Sequence, residues 1–260
     1  MANGNRHPFD LPVAGVDERY WSMKDLMACA SACIEKRQWK TAQNILEEAV
    51  QANHLPAKLE LARLLARTPE LGIPGKQRYD RAERLYREVL SVLDLPDSTV
   101  AAAAMGLSGL YGDCMGRPVG CLAMLLMAKR HGAKVSDREV ELASKRIARM
   151  DVNSFGSNRR DAYELGLELA ATGKSVRSAE LFLREAAMAE ARDMAGGAYL
   201  ALVELYQRDM DKYPEHRKEA ARCLAAAAER GNPEYMSQEI WTKGRRKQDA
   251  PSARGWSMVS

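Results

Sequence analysis

The sequence has no long hydrophobic run. Its richest apolar stretch, residues 119–128, runs straight into Lys129, Arg130 and His131. That is well short of the ~18 to 20 residues that span a bilayer, so no integral membrane segment is expected. The opening Met-Ala-Asn-Gly-Asn-Arg-His-Pro-Phe-Asp lacks the charged start and apolar core of a secretory signal. Ala2 is not the glycine that N-terminal acylation requires. Cysteines are few and odd in number, five in all, and four of them lie in helix-like apolar segments. This excludes a disulfide framework and points to a reduced, cytoplasmic compartment. Neither sign of charge dominates: 39 Lys and Arg face 35 Asp and Glu, a net of +4, and aromatic residues reach only 6%. What remains, 46% hydrophobic and 28% charged, is a globular composition, because disordered chains carry less apolar material and more net charge. The 260 residues allow one or two domains or one elongated array.

An array is indicated by internal repetition. Five segments share a small residue, then a bulky apolar pair three and four positions on, then a small or apolar pair at seven and eight. They are Ala42 with Ile45-Leu46 and Ala49-Val50; Ala82 with Leu85-Tyr86 and Val89-Leu90; Cys121 with Met124-Leu125 and Ala128; Ala179 with Phe182-Leu183 and Ala186-Ala187; and Ala220 with Cys223-Leu224 and Ala227-Ala228. Their starts are 40, 39, 58 and 41 residues apart. Offsets of 0, 3, 4, 7 and 8 form one helix stripe, and its small residues let a neighbouring helix come close.

A second pattern precedes four of the five: Leu61-Ala62 with Leu65, Leu107-Ser108 with Tyr111, Leu165-Gly166 with Leu169, and Leu202-Val203 with Tyr206. Each unit therefore reads as an A helix, a turn and a B helix. The first A helix, near residues 22–36, fits the pattern poorly and reads as an N-terminal cap. Pro69, Gly72, Pro74 and Gly75, then Gly116, Pro118 and Gly120, then Gly173, then Pro214 are assigned to the A–B turns. Pro56, Pro96 and Asn158 are placed ahead of A helices. The long gap of 58 is filled by an inserted helix at residues 137–150, opened by a Ser136/Glu139 capping box, with a loop at 151–157. No useful period-2 alternation is present, so no significant sheet is expected.

Leu107-Ser108-Gly109-Leu110-Tyr111 followed by residues 121–132, and Leu202 to Tyr206 followed by residues 220–232, carry a specific likeness. The closing alanine pair, two residues, glycine and a small polar residue complete it in Ala227-Ala228-Glu229-Arg230-Gly231-Asn232. The pattern resembles the Sel-one-like repeat, a branch of the tetratricopeptide-like α-solenoids, over roughly residues 38–235. The resemblance implies A helices lining a concave face that holds a protein or peptide. It also implies a bacterial role in multi-protein assemblies such as secretion, envelope polysaccharide export or signalling. The second unit lacks the family's glycines, and the Asp usual before the B-helix Ala is mostly missing.

No catalytic constellation stands out. Cys29 and Cys33 share a helix face and could form half of a soft metal site, but no second ligand pair has suitable spacing, so packing is the simpler reading. Cys114, Cys121 and Cys223 are read the same way. His7, His54, His131 and His216 lie at helix ends or in loops, with no nucleophile placed beside them by motif. Gly106, Gly109 and Gly112 lie inside an A helix and read as points of close helix approach rather than as a nucleotide loop. No metal or other cofactor is implied.

Two surfaces are candidate binding sites. Under the resemblance, positions two, five and six after each unit's first Leu face the groove. They select Arg63 and Arg67, then Asp113, then Glu204, Gln207 and Arg208, with Tyr163 joining them. The alternative for each is a merely solvated helix face. The second surface is the tail at 243–260, where Lys243, Arg245, Arg246, Lys247 and Arg254 stand against Asp249 alone. The tail holds the entire net charge, and residues 1–242 balance at 34 charges of each sign. It reads as a flexible tail that either solubilises the chain or docks on an anionic partner.

The expected architecture is thus an all-α solenoid of about five antiparallel helix pairs. An extended segment at 1–21 precedes the array at 22–242, and a capping helix at 234–241 closes it. The expected role is a non-enzymatic adaptor holding a protein partner in its groove. The alternative is a nucleic-acid or membrane-surface accessory protein acting through the basic tail.

Overall fold

The computed structural model describes residues 22–150, 158–173, 175–208 and 215–230. Among these every regular element is helical and there is no strand. The expected N-terminal extension, the loop at 151–157, the Pro214 turn, the closing Gly231-Asn232, the capping helix at 234–241 and the basic tail with Lys243, Arg245, Arg246, Lys247 and Arg254 lie outside the described residues. The chain divides into two compact units, Met1–Val152 and Asn153–Ser260. The division falls where the spacing of B helices stretches to 58 residues.

The first unit holds three helix pairs and one further helix. They are α1 (Met23–Glu35) with α2 (Trp39–Gln51), α3 (Leu55–Arg67) with α4 (Gly75–Leu90), and α5 (Asp97–Gly109) with α6 (Pro118–Arg130), followed by α7 (Asp137–Ala148). Each pair packs on itself and on the next, and short connections make the partners antiparallel. The B-helix stripes become the core. Ala42, Ile45, Leu46 and Ala49 of α2, and Ala82, Leu85, Tyr86 and Val89 of α4, are all buried. In α6 the apolar set spreads over most of the helix, from Val119 to Ala128, because neighbours cover it on more than one side.

Helix starts follow from the caps. Ser22 and Asp25 form a reciprocal capping box that opens α1, and Ser136 and Glu139 do the same for α7. The α7 box is the expected one, although the helix stops at Ala148, two residues early. Pro74, Pro96 and Asn158 sit at N-caps. Some of these assignments need correcting, and Gly75, assigned to a turn, is the first residue of α4. Pro118 and Gly120 belong to the first turn of α6 rather than to the connection, since a proline at the first helical position loses no helix hydrogen bond. Pro56 likewise falls inside α3, in its first turn. Between α3 and α4 the chain makes a short 3₁₀ turn, Pro69–Leu71, and exits through Gly72 at φ 73°, a left-handed conformation that favours glycine.

The second unit pairs α8 (Arg159–Thr172) with α9 (Val176–Ala187) and α10 (Arg192–Arg208) with α11 (Glu215–Glu229). One core cluster gathers Ala179 and Leu183 of α9, Leu202, Val203, Leu205 and Tyr206 of α10, and Ala220 and Cys223 of α11. All of these except Leu205 are positions that the repeat patterns mark. Among the described residues no helix is long and apolar enough to cross a membrane. The all-α, paired-helix architecture expected from the repeat is therefore what the chain adopts.

Candidate functional site

In the first unit the A-helix faces of neighbouring pairs meet over a B helix and leave a cleft of about 220 Å³. From α3 it is lined by Arg63, Ala66 and Arg67, which are positions two, five and six after Leu61. From α5 come Ala102, Met105, Gly106 and Gly109, and from the turn that follows come Leu110, Asp113 and Cys114. Tyr86 of α4 lies between them as the floor. The structure thus brings together Arg63, Arg67 and Asp113, the three groove residues expected in this half of the chain.

The turn after α5 is unusual. Leu110–Cys114 forms one π-helical turn, with Met115 N–H donating five residues back to the Leu110 carbonyl at 3.0 Å. Such a turn inserts a residue into the helix, re-aims the side chains after it, and is frequent at functional sites. Here it carries Asp113 and Cys114 to the rim of the cleft.

The three glycines of this helix do different things. A Cβ on Gly106 would lie 2.3 Å from Tyr86 Cζ, so its absence seats the tyrosine ring. A Cβ on Gly112 would lie 3.1 Å from Cys121 Sγ. Both are the close approaches the sequence suggests. Gly109 is not, because no atom lies within 4 Å of where its Cβ would be. A glycine in a helix costs about 1 kcal/mol against alanine. At Gly109 packing does not explain that cost, and the open space it leaves is the mouth of the cleft.

The polar groups of the cleft are unevenly satisfied. Arg63 pairs with Glu60 at 2.6 Å on its own helix, while Arg67 makes no ion pair or hydrogen bond among the described residues. Tyr86 is 1% exposed, yet its hydroxyl has no hydrogen-bond partner among the described residues. The hydroxyl is not sealed in the core: it opens on the cleft, where water or a bound group can pair with it. Burial pushes its titration up to about 12, against the opposing pull of the Arg63 and Arg67 charges. The phenol therefore stays protonated at neutral pH and remains a donor.

The other two large buried tyrosines behave differently. Tyr111, at the π turn, donates to Glu83 at 2.8 Å and accepts from Arg87 at 2.7 Å. Arg117 closes the set, bonding Glu83 at 3.0 Å and lying 4.2 Å from the Tyr111 ring centroid. In the second unit Tyr206 donates to Glu180 at 2.7 Å and accepts from Arg184 at 2.9 Å. Glu83 and Arg87 stand one and five positions after Ala82, and Glu180 and Arg184 stand at the same offsets from Ala179. Each clamp ties a B helix to the A helix of the next pair. The first holds the π turn, and with it one wall of the cleft.

The clamp has an acid signature. Burial alone would raise the Glu83 carboxyl, but the hydrogen bonds from Tyr111 and Arg87 and the charge of Arg117 outweigh it and hold the group below its ordinary 4.5. A carboxylate depressed in the folded state adds stability above its unfolded value and loses it as pH falls through the folded one. The urea midpoint of the first unit should therefore drop as pH is lowered from about 5 towards about 3, and Glu83→Gln should flatten that part of the profile. Parallel profiles for wild type and variant would show that Glu83 is not the linked group.

In the second unit the expected groove residues are dispersed. Glu204, Gln207 and Arg208 are exposed positions of α10, on either side of the buried Leu205 and Tyr206. Arg208 also donates through Nη1 to the Ala170 carbonyl near the end of α8, which gives it a helix-capping duty. Tyr163 is a packing residue, partly buried against the core clusters, and its hydroxyl would lie 2.8 Å from a Cβ on Gly197. His131 lies 2.6 Å from Asp97. His54 forms the N-cap residue of α3, and the His216 ring lies 5.1 Å from that of Tyr206. All five cysteines are free, and Cys33, Cys121 and Cys223 are buried in helix packing. Among the described residues no group of three or more His, Cys, Asp or Glu side chains could hold a metal ion.

No protein-family model matches the chain, and no curated protein or solved structure matches it either.

Proposed function

We propose that the chain is a non-enzymatic interaction scaffold that holds a protein partner through the α3–α5 face of its first unit. The observation that carries this reading is the cleft, where a guanidinium without an ion pair and apolar walls from A-helix faces meet over a phenol that has no protein partner. Its groups suit recognition rather than bond making, since no base is seated on a nucleophile there. The repeat likeness adds the context of a bacterial multi-protein assembly, and the few, unpaired cysteines favour a cytoplasmic one.

The reading is tested by comparative affinity capture with mass spectrometry. A protein recovered with the full chain should be lost roughly tenfold or more with Arg63→Glu/Arg67→Glu, and kept when residues 243–260 are deleted. Recovery of nucleic acid or anionic lipid instead, with strong salt dependence and loss on tail deletion, would sink the scaffold reading in favour of a tail-mediated accessory role.

A further inference from the structure

The cleft is built for one chemical group. Its floor is Tyr86, a residue 1% exposed whose hydroxyl lacks a protein partner and opens on the cleft. Tyr111 and Tyr206 show what this fold does with a buried phenol when no ligand is intended: each is clamped by a glutamate and an arginine from the preceding pair. Tyr86 has no such clamp, and Gly106 fixes its ring in place. Above it Arg67 presents a charge without an ion pair, and Ala66, Ala102 and Met105 supply walls without side-chain hydrogen-bonding groups. Gly109 leaves the mouth clear. Asp113 on the far rim sets a limit on negative charge, because a second anionic group beside it is repelled.

We propose that this cleft is a socket for one carboxylate side chain of the partner, a glutamate. Its oxygens accept from the Tyr86 hydroxyl and the Arg67 guanidinium, and its methylenes lie against Ala66, Ala102 and Met105. This deepens the scaffold reading above and rests on it. A carboxylate is an acceptor at both oxygens and so satisfies both donors, whereas an amide turns its N–H₂ towards one of them. A peptide's terminal carboxylate fits less well, since its own amide N–H is carried in against Ala66, Ala102 and Met105, which offer no side-chain acceptor, while Asp113 stands only on the rim. A side-chain carboxylate arrives on bare methylenes. Nucleic acid and multiply charged phosphates are disfavoured by Asp113.

The socket can be tested without knowing the partner. The full chain, carrying ¹³C-methyl methionine with Met105 assigned by Met105→Leu, is titrated with N-acetylglutamate N-methylamide, with its glutamine counterpart, and with N-acetylalanine. The glutamate compound should shift the Met105 methyl saturably, and the other two should bind roughly fivefold or more weakly. Tyr86→Phe and Arg67→Gln should each weaken the glutamate compound by a similar factor. Tyr86→Phe keeps the ring against Gly106, and because the hydroxyl it removes has no partner, its urea midpoint should equal or exceed that of wild type. Equal binding of the glutamate and glutamine compounds, tighter binding of N-acetylalanine, or indifference to Tyr86→Phe each overturns the socket. The two readings fail separately. If charge reversal at Arg63 and Arg67 abolishes partner capture while Met105 stays unmoved by the glutamate compound, the scaffold stands and the socket falls. If Met105 responds as expected and capture ignores the charge reversal, the scaffold reading falls alone.

Discussion

Gly106→Ala should unfold more easily than wild type by on the order of 1–3 kcal/mol, while Gly109→Ala, one turn along the same helix, should gain up to about 1 kcal/mol. A methyl at residue 106 would lie 2.3 Å from Tyr86 Cζ and 2.5 Å from both Cε1 and the hydroxyl oxygen. The ring is buried under the α5 helix, so the clash is relieved only by pushing the ring towards the cleft or by separating α4 from α5. Either movement outweighs the helix propensity that alanine brings. At residue 109 there is nothing to meet, and propensity acts unopposed. The two variants also separate stability from binding, since Gly109→Ala narrows the mouth of the cleft in a protein that is otherwise firmer. Urea unfolding midpoints decide the matter. A Gly106→Ala midpoint at or above that of wild type would remove close approach as the reason for this glycine.

The second large effect is expected at the first clamp. Tyr111 is fully buried, and Tyr111→Ala should cost about 3–5 kcal/mol through the cavity and the lost ring contacts. Against a typical domain stability of roughly 5–15 kcal/mol, that leaves the first unit close to unfolding. Tyr111→Phe isolates the hydroxyl. It removes a donor to Glu83 and an acceptor from Arg87, bonds to charged groups worth about 1.5–3 kcal/mol. Arg87 and Arg117 remain on the carboxylate, so the loss should fall at the lower end of that range. Tyr206→Phe should cost a comparable amount in the second unit. Both Phe variants contrast with Tyr86→Phe, which removes a hydroxyl without a partner. If all three Phe variants shift the midpoint alike, the distinction between clamped and free phenols is wrong.

The repeat stripes were legible because their signal is pairwise and local. An alanine followed by apolar pairs at three, four, seven and eight positions is already a helix face, and all five segments proved to be B helices with their inner residues buried. The offset rule counted from Leu61 and Leu107 reached Arg63, Arg67 and Asp113 for the same reason. The surroundings of Tyr163, named beside that rule, and of Arg208, selected by it, depend on what faces them: the bare backbone of Gly197 in one case and the open carbonyl of Ala170 in the other. Tyr86 was hidden by its own pattern, since as half of the Leu85-Tyr86 pair it reads as an apolar stripe residue. Only packing reveals that its hydroxyl is left over. The π turn is likewise invisible, because one inserted residue leaves the apolar order of Leu107, Leu110 and Tyr111 unchanged. The repeated spacing of Glu83 with Arg87 and Glu180 with Arg184 stood in the sequence, but its meaning depends on tyrosines 22 to 28 residues away.

Those two clamps bear on a weakness common to stacked helices. Stripes of alanine and leucine are nearly self-similar along the helix axis, so sliding one helix past another by a turn, about 5.4 Å, exchanges one apolar contact for a similar one. Burial alone therefore discriminates poorly between the correct alignment and its neighbours. A phenol seated between one carboxylate and one guanidinium has no equivalent a turn away, and slippage would strand a partly buried charge. The tyrosine clamps act as detents: they contribute modestly to the depth of the energy well and strongly to its uniqueness, once in each unit.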